Sequence, residues 1–573
     1  MQSVSSRRRL SRMIVLLGMA AAAPSFAAVP AQSGRKVPKL PIDGAPGEYL
    51  AGRLALSQLD SEFAADAFLK ALAVEPGQMD LLQQAFLACL MSNRPEAVRL
   101  ARELPDNQAA QLLLGGVEAK TGNWDAAEQR FRAMPRQGLT QFLQPLLVAW
   151  AQQGAGRTDA ALATLRPLTE GQRMRGIYAM HAALIADLGG RPGDAGRLYR
   201  IAQSDYGGIN LRLARIVASW QARTGHPADA HQTLRALTDG NDDMSIALPA
   251  LIASAGSRPV ARATDGIAEA YLALAAAMRQ QDQSDSSMLL LRLALNLRPD
   301  FTAARMMMAE NEAAGGNPAQ ALHTLAPIPA TDPLSSVVRL RRAAFTDRAG
   351  NSEDAERELD QLARDYPESP LPLAQLGDLL RSKNRFTDAI GAYDRAITRV
   401  QAPQRSAWPL FYARGIAEER SKDWPRAQAD LERALQLSPD QPYVLNYLGY
   451  SWADQGEHLS QARQMLTRAL ELRPTDGSIV DSLGWLQLRQ GDTKAAVQSL
   501  ERAVEMMPED ATINGHLGDA YWAAGRKQEA QFQWQRALVL NPDADEAARL
   551  ETKLRNYATQ TEAPGTTAEH RVQ

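Results

Sequence analysis

Residues 511–542 read ATINGHLGDAYWAAGRKQEAQFQWQRALVLNP. The residues that give this stretch its meaning are Leu517-Gly518, Tyr521, Ala530, Trp534, Ala537 and Pro542. The same skeleton occurs one step earlier as Leu483-Gly484, Ala496, Leu500, Ala503 and Pro508, and before that as Leu448-Gly449, Trp452, Ala462, Leu466, Ala469 and Pro474. Near the other end of the chain it returns as Gly52, Ala64, Phe68, Ala71 and Pro76. Small residues such as Gly484 and Ala496 let two antiparallel helices approach closely, while Leu483 and Leu500 fill the space between them. Pro508 cannot continue a helix and disfavours helical geometry at the residue before it, so the second helix ends there. Gly491-Asp492, Gly525-Arg526, Gly350-Asn351 and Gly122-Asn123 mark the turn between the two helices of their units.

Aligning the chain on the small residue that opens each second helix gives Ala64, Ala97, Ala127, Ala161, Ala195, Ala230, Ala321, Ala355, Ala389, Ala427, Ala462, Ala496 and Ala530. Successive spacings are mostly 34 or 35 residues, with exceptions of 33, 30 and 38 and one gap of 91. That gap holds a degenerate unit around Ser286 to Pro299. One helix pair cannot bury its own apolar face, but stacked pairs share a continuous core. An unrelated helical bundle has no reason to repeat at 34 residues. The units resemble the tetratricopeptide repeat family, whose 34-residue unit carries small residues at the helix crossing and a terminal proline. The expected fold is all-α: a right-handed superhelical solenoid of about fourteen antiparallel helix pairs, interrupted once near the middle. The expected organisation is a degenerate N-terminal arm at 48–236, an interruption at 237–263, a C-terminal arm at 264–556 and a disordered tail at 557–573. Within the interruption, Asp239 to Asp243 and Ala255 to Pro259 read as loops around a short apolar helix.

At 573 residues the chain is several times the size of a single core. Its 63 Lys and Arg nearly balance its 65 Asp and Glu, for a formal net charge of −2, and no basic stripe offers a footprint for nucleic acid. The lone cysteine, Cys89, excludes an intrachain disulfide and a cysteine-based zinc or iron–sulfur site. It reads as a small buried apolar residue. Arg7, Arg8, Arg9 and Arg12 precede an apolar run from Met13 to Ala23, then Pro24 and Ser25-Phe26-Ala27. This is the pattern of a signal peptide (1–27) cleaved near Ala27, and the apolar run is too short to span a bilayer comfortably. Ser6 to Leu10 also fits a twin-arginine signal loosely. The expectation is a periplasmic protein with a proline-rich lead-in at 28–47 and no integral membrane segment.

The seven histidines are scattered, and no His-Glu-x-x-His motif, phosphate-binding Gly-Lys-Ser/Thr loop or Gly-x-Ser-x-Gly elbow occurs. No catalytic residue, metal ligand or cofactor is therefore expected, and the mode of action is binding.

In the family these repeats resemble, positions 2, 5, 9, 12 and 13 of each unit face a concave groove. Numbering each unit so that its glycine is position 8, the resemblance assigns Tyr412 and Ile416, Tyr443, Asn446 and Tyr450, Asp481, Trp485, Leu488 and Arg489, and Asp519 and Trp522. Tyr450, Trp485 and Trp522 are surplus to a core already supplied by Leu448, Leu483 and Leu517, so they suggest anchors for a peptide or partner helix. Arg489 alone cannot replace the basic clamp that some members use for a free C-terminus. Residues 446–454, 479–485 and 516–522 further resemble the C-terminal repeats of proteobacterial adaptors that deliver substrates to a carboxyl-terminal processing protease, and residues 265–270 share this likeness more weakly. Those adaptors carry a lipid-modified cysteine, which has no counterpart near Ala27 here. The resemblance implies an exported interaction scaffold or adaptor for protein or peptide partners. The alternative is a structural scaffold for outer-membrane or polysaccharide export assembly.

Overall fold

The computed structural model describes residues 45–561 apart from 59, 172–173, 206–209, 239–241 and 401–404. The expected signal peptide, residues 28–44 of the lead-in and residues 562–573 of the tail lie outside the described residues. Among the described residues there are thirty α-helices and no strand.

Six helix pairs open the chain. They are α1 (Ala45–Ser57) with α2 (Ser61–Val74), α3 (Met79–Met91) with α4 (Glu96–Arg102), α5 (Gln108–Lys120) with α6 (Trp124–Ala133), α7 (Thr140–Gly154) with α8 (Thr158–Glu170), α9 (Arg175–Leu188) with α10 (Pro192–Asp205) and α11 (Leu211–Arg223) with α12 (Pro227–Thr238). A 3-10 segment, Asp242–Ala247, runs into the short α13 (Leu248–Ala253). Eight more pairs follow: α14 (Ala263–Arg279) with α15 (Ser284–Leu297), α16 (Thr302–Ala314) with α17 (Pro318–Leu325), α18 (Ser335–Arg348) with α19 (Ser352–Asp365), α20 (Leu371–Ser382) with α21 (Phe386–Thr398), α22 (Trp408–Arg420) with α23 (Trp424–Leu437), α24 (Pro442–Gln455) with α25 (Leu459–Leu472), α26 (Gly477–Arg489) with α27 (Thr493–Met506) and α28 (Ala511–Ala523) with α29 (Lys527–Val539). A single helix, α30 (Ala544–Thr561), closes the series. The turn within each pair is only a few residues long, so the two helices must run antiparallel. This is the all-α repeat solenoid that the periodicity requires.

The repeat skeleton acts as its spacing demands. Ala462, Ala496 and Ala530 are fully buried at the crossings. Opposite them the glycines hold the helices close: a Cβ at Gly484 would lie 2.7 Å from Leu500 Cγ. The turn at Gly491 has φ 83°, a conformation that costs glycine little, and Asp492 caps α27 by accepting from Ala495 N at 3.1 Å. The degenerate pair resolves in the same terms, because Ser287 is fully buried 34 residues before Ala321, where other units place alanine. Cys89 is fully buried as well, and burial pushes its thiol up to about 11.

The helices form two compact units that divide between Leu379 and Leu380, inside α20. The division does not fall at the 237–263 interruption. Met244, Ile246, Leu251 and Val260 of that segment are buried, and Asp243 pairs with Arg341 at 2.9 Å.

The first unit departs from a plain stack of neighbours. Helix α14 packs against α5, α7 and α9, all first helices of earlier pairs, and α15 reaches α3 and α5. Gly266 permits this approach, since a Cβ there would stand 2.3 Å from the ring of Trp150. Tyr271 Oη donates to Leu112 O at 3.3 Å, and Lys120 Nζ donates to Asn296 O at 3.0 Å. Arg212 Nε donates to Glu269 Oε1 at 3.0 Å, and Glu269 is 1% exposed. Trp150 Nε1 donates to His181 Nδ1 at 3.0 Å, and burial pushes His181 down to about 4, which keeps the ring neutral. One apolar core therefore runs from Ala45 to Met308.

Candidate partner-binding groove

In the second unit the first helices α22, α24, α26 and α28 lie side by side, backed by α23, α25, α27 and α29. Leu448 and Leu517 are buried in the core, as their repeat position requires, and Leu483 is partly buried. Gly449 and Gly518 hold each first helix against its partner: a Cβ at Gly518 would lie 2.4 Å from Trp534 Cδ1.

The structure gathers six of the eleven residues assigned to the groove into three clusters. At the centre is His516, 7% exposed, whose Nδ1 lies 3.0 and 3.1 Å from the two carboxylate oxygens of Asp481. The ring of Trp485 stacks on His516 at 4.3 Å and 20°, and Tyr450 stands 6.1 Å away. Trp485 Nε1 donates to Asp454 Oδ1 at 3.2 Å. The Trp485 ring is thus fixed on its face and at its edge. Burial by itself disfavours the charged imidazole, but Asp481 beside it outweighs that effect and raises His516 above its ordinary range. Burial, with Asp454 and Asp481 nearby, pushes the Tyr450 hydroxyl up.

At the C-terminal end, Asp519 accepts from Trp534 Nε1 at 2.9 Å and from Lys553 Nζ of α30 at 2.8 Å. Trp522 lies 5.6 Å from the ring of Trp534 and 6.3 Å from Tyr557, with Lys527 Nζ 5.1 Å from its centroid. At the other end, Tyr412 meets Trp408 and Tyr447, each at 6.0 Å, and burial pushes it up to about 12. Tyr447 Oη donates to Glu419 at 3.0 Å.

The remaining assigned residues are more dispersed. Tyr443 lies under Arg473 at 5.6 Å, Ile416 is half-buried, and Leu488 packs at the edge of the α28–α29 core. Arg489 is exposed. The Asn446 side chain is half-buried, and its Oδ1 accepts no hydrogen bond among the described residues. Tyr450, Trp485 and Trp522 are also half-buried rather than exposed, because the neighbouring repeats cover part of each ring.

Reading the sequence for groove positions missed His516, Trp408, Tyr447, Lys553 and Tyr557. His516 follows Asp481 by 35 residues, one repeat on, so the spacing that found the helices could also have paired these two.

A family model described as tetratricopeptide repeat matches residues 94–138, 347–406, 412–477 and 482–548. A TPR repeat-containing protein of Pseudomonas aeruginosa is 26% identical over 154 residues. The match takes in 27% of this chain and 25% of the relative, so the chain spans about a quarter of the length of the curated relative it matches. Among solved structures, YrrB, titled a TPR protein with an unusual peptide-binding site, is 21% identical with a TM-score of 0.26 and covers 34% of this chain and 97% of its own. The Cut9–Hcn1 hetero-tetramer of the APC/C is 13% identical with a TM-score of 0.37 and covers 90% of this chain and 96% of its own. Repeats of this family mark a protein–protein interaction scaffold. The chain carries tetratricopeptide repeats, and every assigned groove residue except Asp481 lies within the matched segments.

Proposed function

We propose that the protein binds a segment of a partner protein across α22, α24, α26 and α28, with Tyr450 and Trp485 as its apolar anchors. The observation that carries this reading is the Trp485 ring, half-buried and locked by His516 and Asp454 before any partner arrives. An aromatic anchor already held in place loses less conformational entropy on binding than a free one.

The wider reading, an exported adaptor in the periplasm that presents proteins to a carboxyl-terminal processing protease, rests on residues 446–454, 479–485 and 516–522 and on the basic and apolar run at 7–23. The test is affinity capture from a periplasmic extract with the tagged full chain and with its Tyr450→Ala/Trp485→Ala variant, read by mass spectrometry. Recovery of a processing protease or its substrates by the wild type, reduced at least tenfold by the variant, supports the proposal. Recovery of outer-membrane or polysaccharide export components instead would favour a structural scaffold. Equal recovery by variant and wild type would remove the groove from the mechanism.

A further inference from the structure

The first unit holds a cleft of about 270 Å³ where α3 and α4 meet α15 and α16. Four cations line it: Arg94, Lys120, Arg292 and Arg305. Among the described residues only Arg94 has carboxylate ion-pair partners, Asp66 at 2.7 Å and Glu62 at 3.5 Å. Lys120 donates to a backbone carbonyl, Asn296 O, and Arg305 donates to Pro299 O and Thr324 O at 2.8 and 3.1 Å. Arg292 is largely buried, and its Nε donates no hydrogen bond among the described residues. Glu312 and Asp300 act on Arg292 and Arg305 through space, but neither forms an ion pair with them among the described residues. Burial lowers the pKa of both arginines by more than Glu312 and Asp300 raise it.

Buried charges in folded proteins are normally paired, because an unpaired one forfeits its hydration and gains nothing in return. Here two such arginines, Arg292 and Arg305, share one space with the exposed Lys120, and Arg305 repels Arg292. Leu90, Val98 and Leu295 add apolar walls to the same cleft. We propose that this cleft binds a small multiply charged oxyanion, of the phosphate-ester or polycarboxylate kind. Two or more negative charges would balance Lys120, Arg292 and Arg305, and the planar guanidinium of Arg292 suits two parallel hydrogen bonds to such a group. The volume lies near the lower end of the range for ligand sites, which favours a small molecule over a polymer.

The test is calorimetric titration and thermal melting of the full chain with inorganic phosphate and, separately, citrate, at constant ionic strength. Saturable binding of at least one anion, with a matching rise in melting temperature, is expected. Phosphate alone binding points to a phosphate ester, and citrate alone to a polycarboxylate. Arg292→Gln and, independently, Lys120→Gln should each weaken binding at least tenfold. Lys120 lies at the end of its helix, so its variant keeps the proposal testable if Arg292→Gln unfolds. A third readout uses the wild type only: phenylglyoxal modification of Arg292, mapped by mass spectrometry, should slow in the presence of the bound anion. No saturable binding of either anion, or equal binding by wild type and folded variants, would overturn the proposal.

Discussion

A methyl group at Gly518 would have to displace the indole of Trp534, itself 3% exposed and bonded to Asp519. Gly518→Ala should therefore cost about 1–3 kcal/mol. For a unit of this size that lowers the melting temperature by about 2–4 °C per kcal/mol, measurable by circular dichroism. His516 gives a second prediction at this scale. Its pKa is raised in the folded state, so folding favours the protonated ring. The stabilisation is full below the unfolded pKa of about 6.5 and fades as pH rises through the folded value. The urea midpoint of the second unit should fall across that window, and His516→Gln should flatten the profile. A midpoint that varies equally in both proteins would contradict the assignment. The difference between these two residues explains what was legible in the sequence. Gly518 stands at a position that every unit fills with a small residue, so the period exposes it. His516 owes its role to Asp481 and Trp485, both on the preceding first helix, α26. A search along the chain for metal or catalytic spacing passes over such a cross-helix contact.

Among elements, α30 and α14 lie outside the simple repeat logic, and each carries a prediction. The α30 helix has no partner helix among the described residues, yet Leu550 is fully buried, Lys553 holds Asp519 and Tyr557 meets Trp522. The contact at Tyr557 explains why the helix runs to Thr561 instead of ending at 556, where polarity suggested a tail. Ending the chain after Pro542 should cost the second unit about 3 kcal/mol, mostly from the lost burial of Leu550 and its neighbours, as read by urea denaturation. For α14, Glu269→Ala would leave Arg212 without its buried partner and should destabilise the first unit by roughly 3 kcal/mol, with the second unit's transition unmoved. Unchanged stability would mean that the pair contributes no more than a surface bridge. The sequence placed α14 inside a gap of 91 residues, at the opening of the expected C-terminal arm, and gave no sign of what it packs against. Its packing on α5, α7 and α9 joins segments with no fixed interval between them, and periodicity registers only fixed intervals.

For the whole molecule, the relevant boundary is the one between Leu379 and Leu380. The interruption at 237–263 breaks the repeat but not the core, because α14 and α15 return to helices laid down much earlier. Denaturant unfolding should accordingly show two transitions. Tryptophan fluorescence reports both, since Trp124, Trp150 and Trp220 lie in the first unit and the other six tryptophans in the second. A single coincident transition would argue that the units do not unfold independently. The Tyr271 hydroxyl reaches back 159 residues to Leu112, and Lys120 reaches forward 176 to Asn296. Such distant closures are slow compared with the local pairings of an ordinary repeat array. During synthesis, then, the first six pairs cannot complete their core until about residue 297 has been made. Until that point the nascent chain presents the apolar sides of α5, α7 and α9 to whatever lies near it, whereas the second unit can add its pairs one at a time.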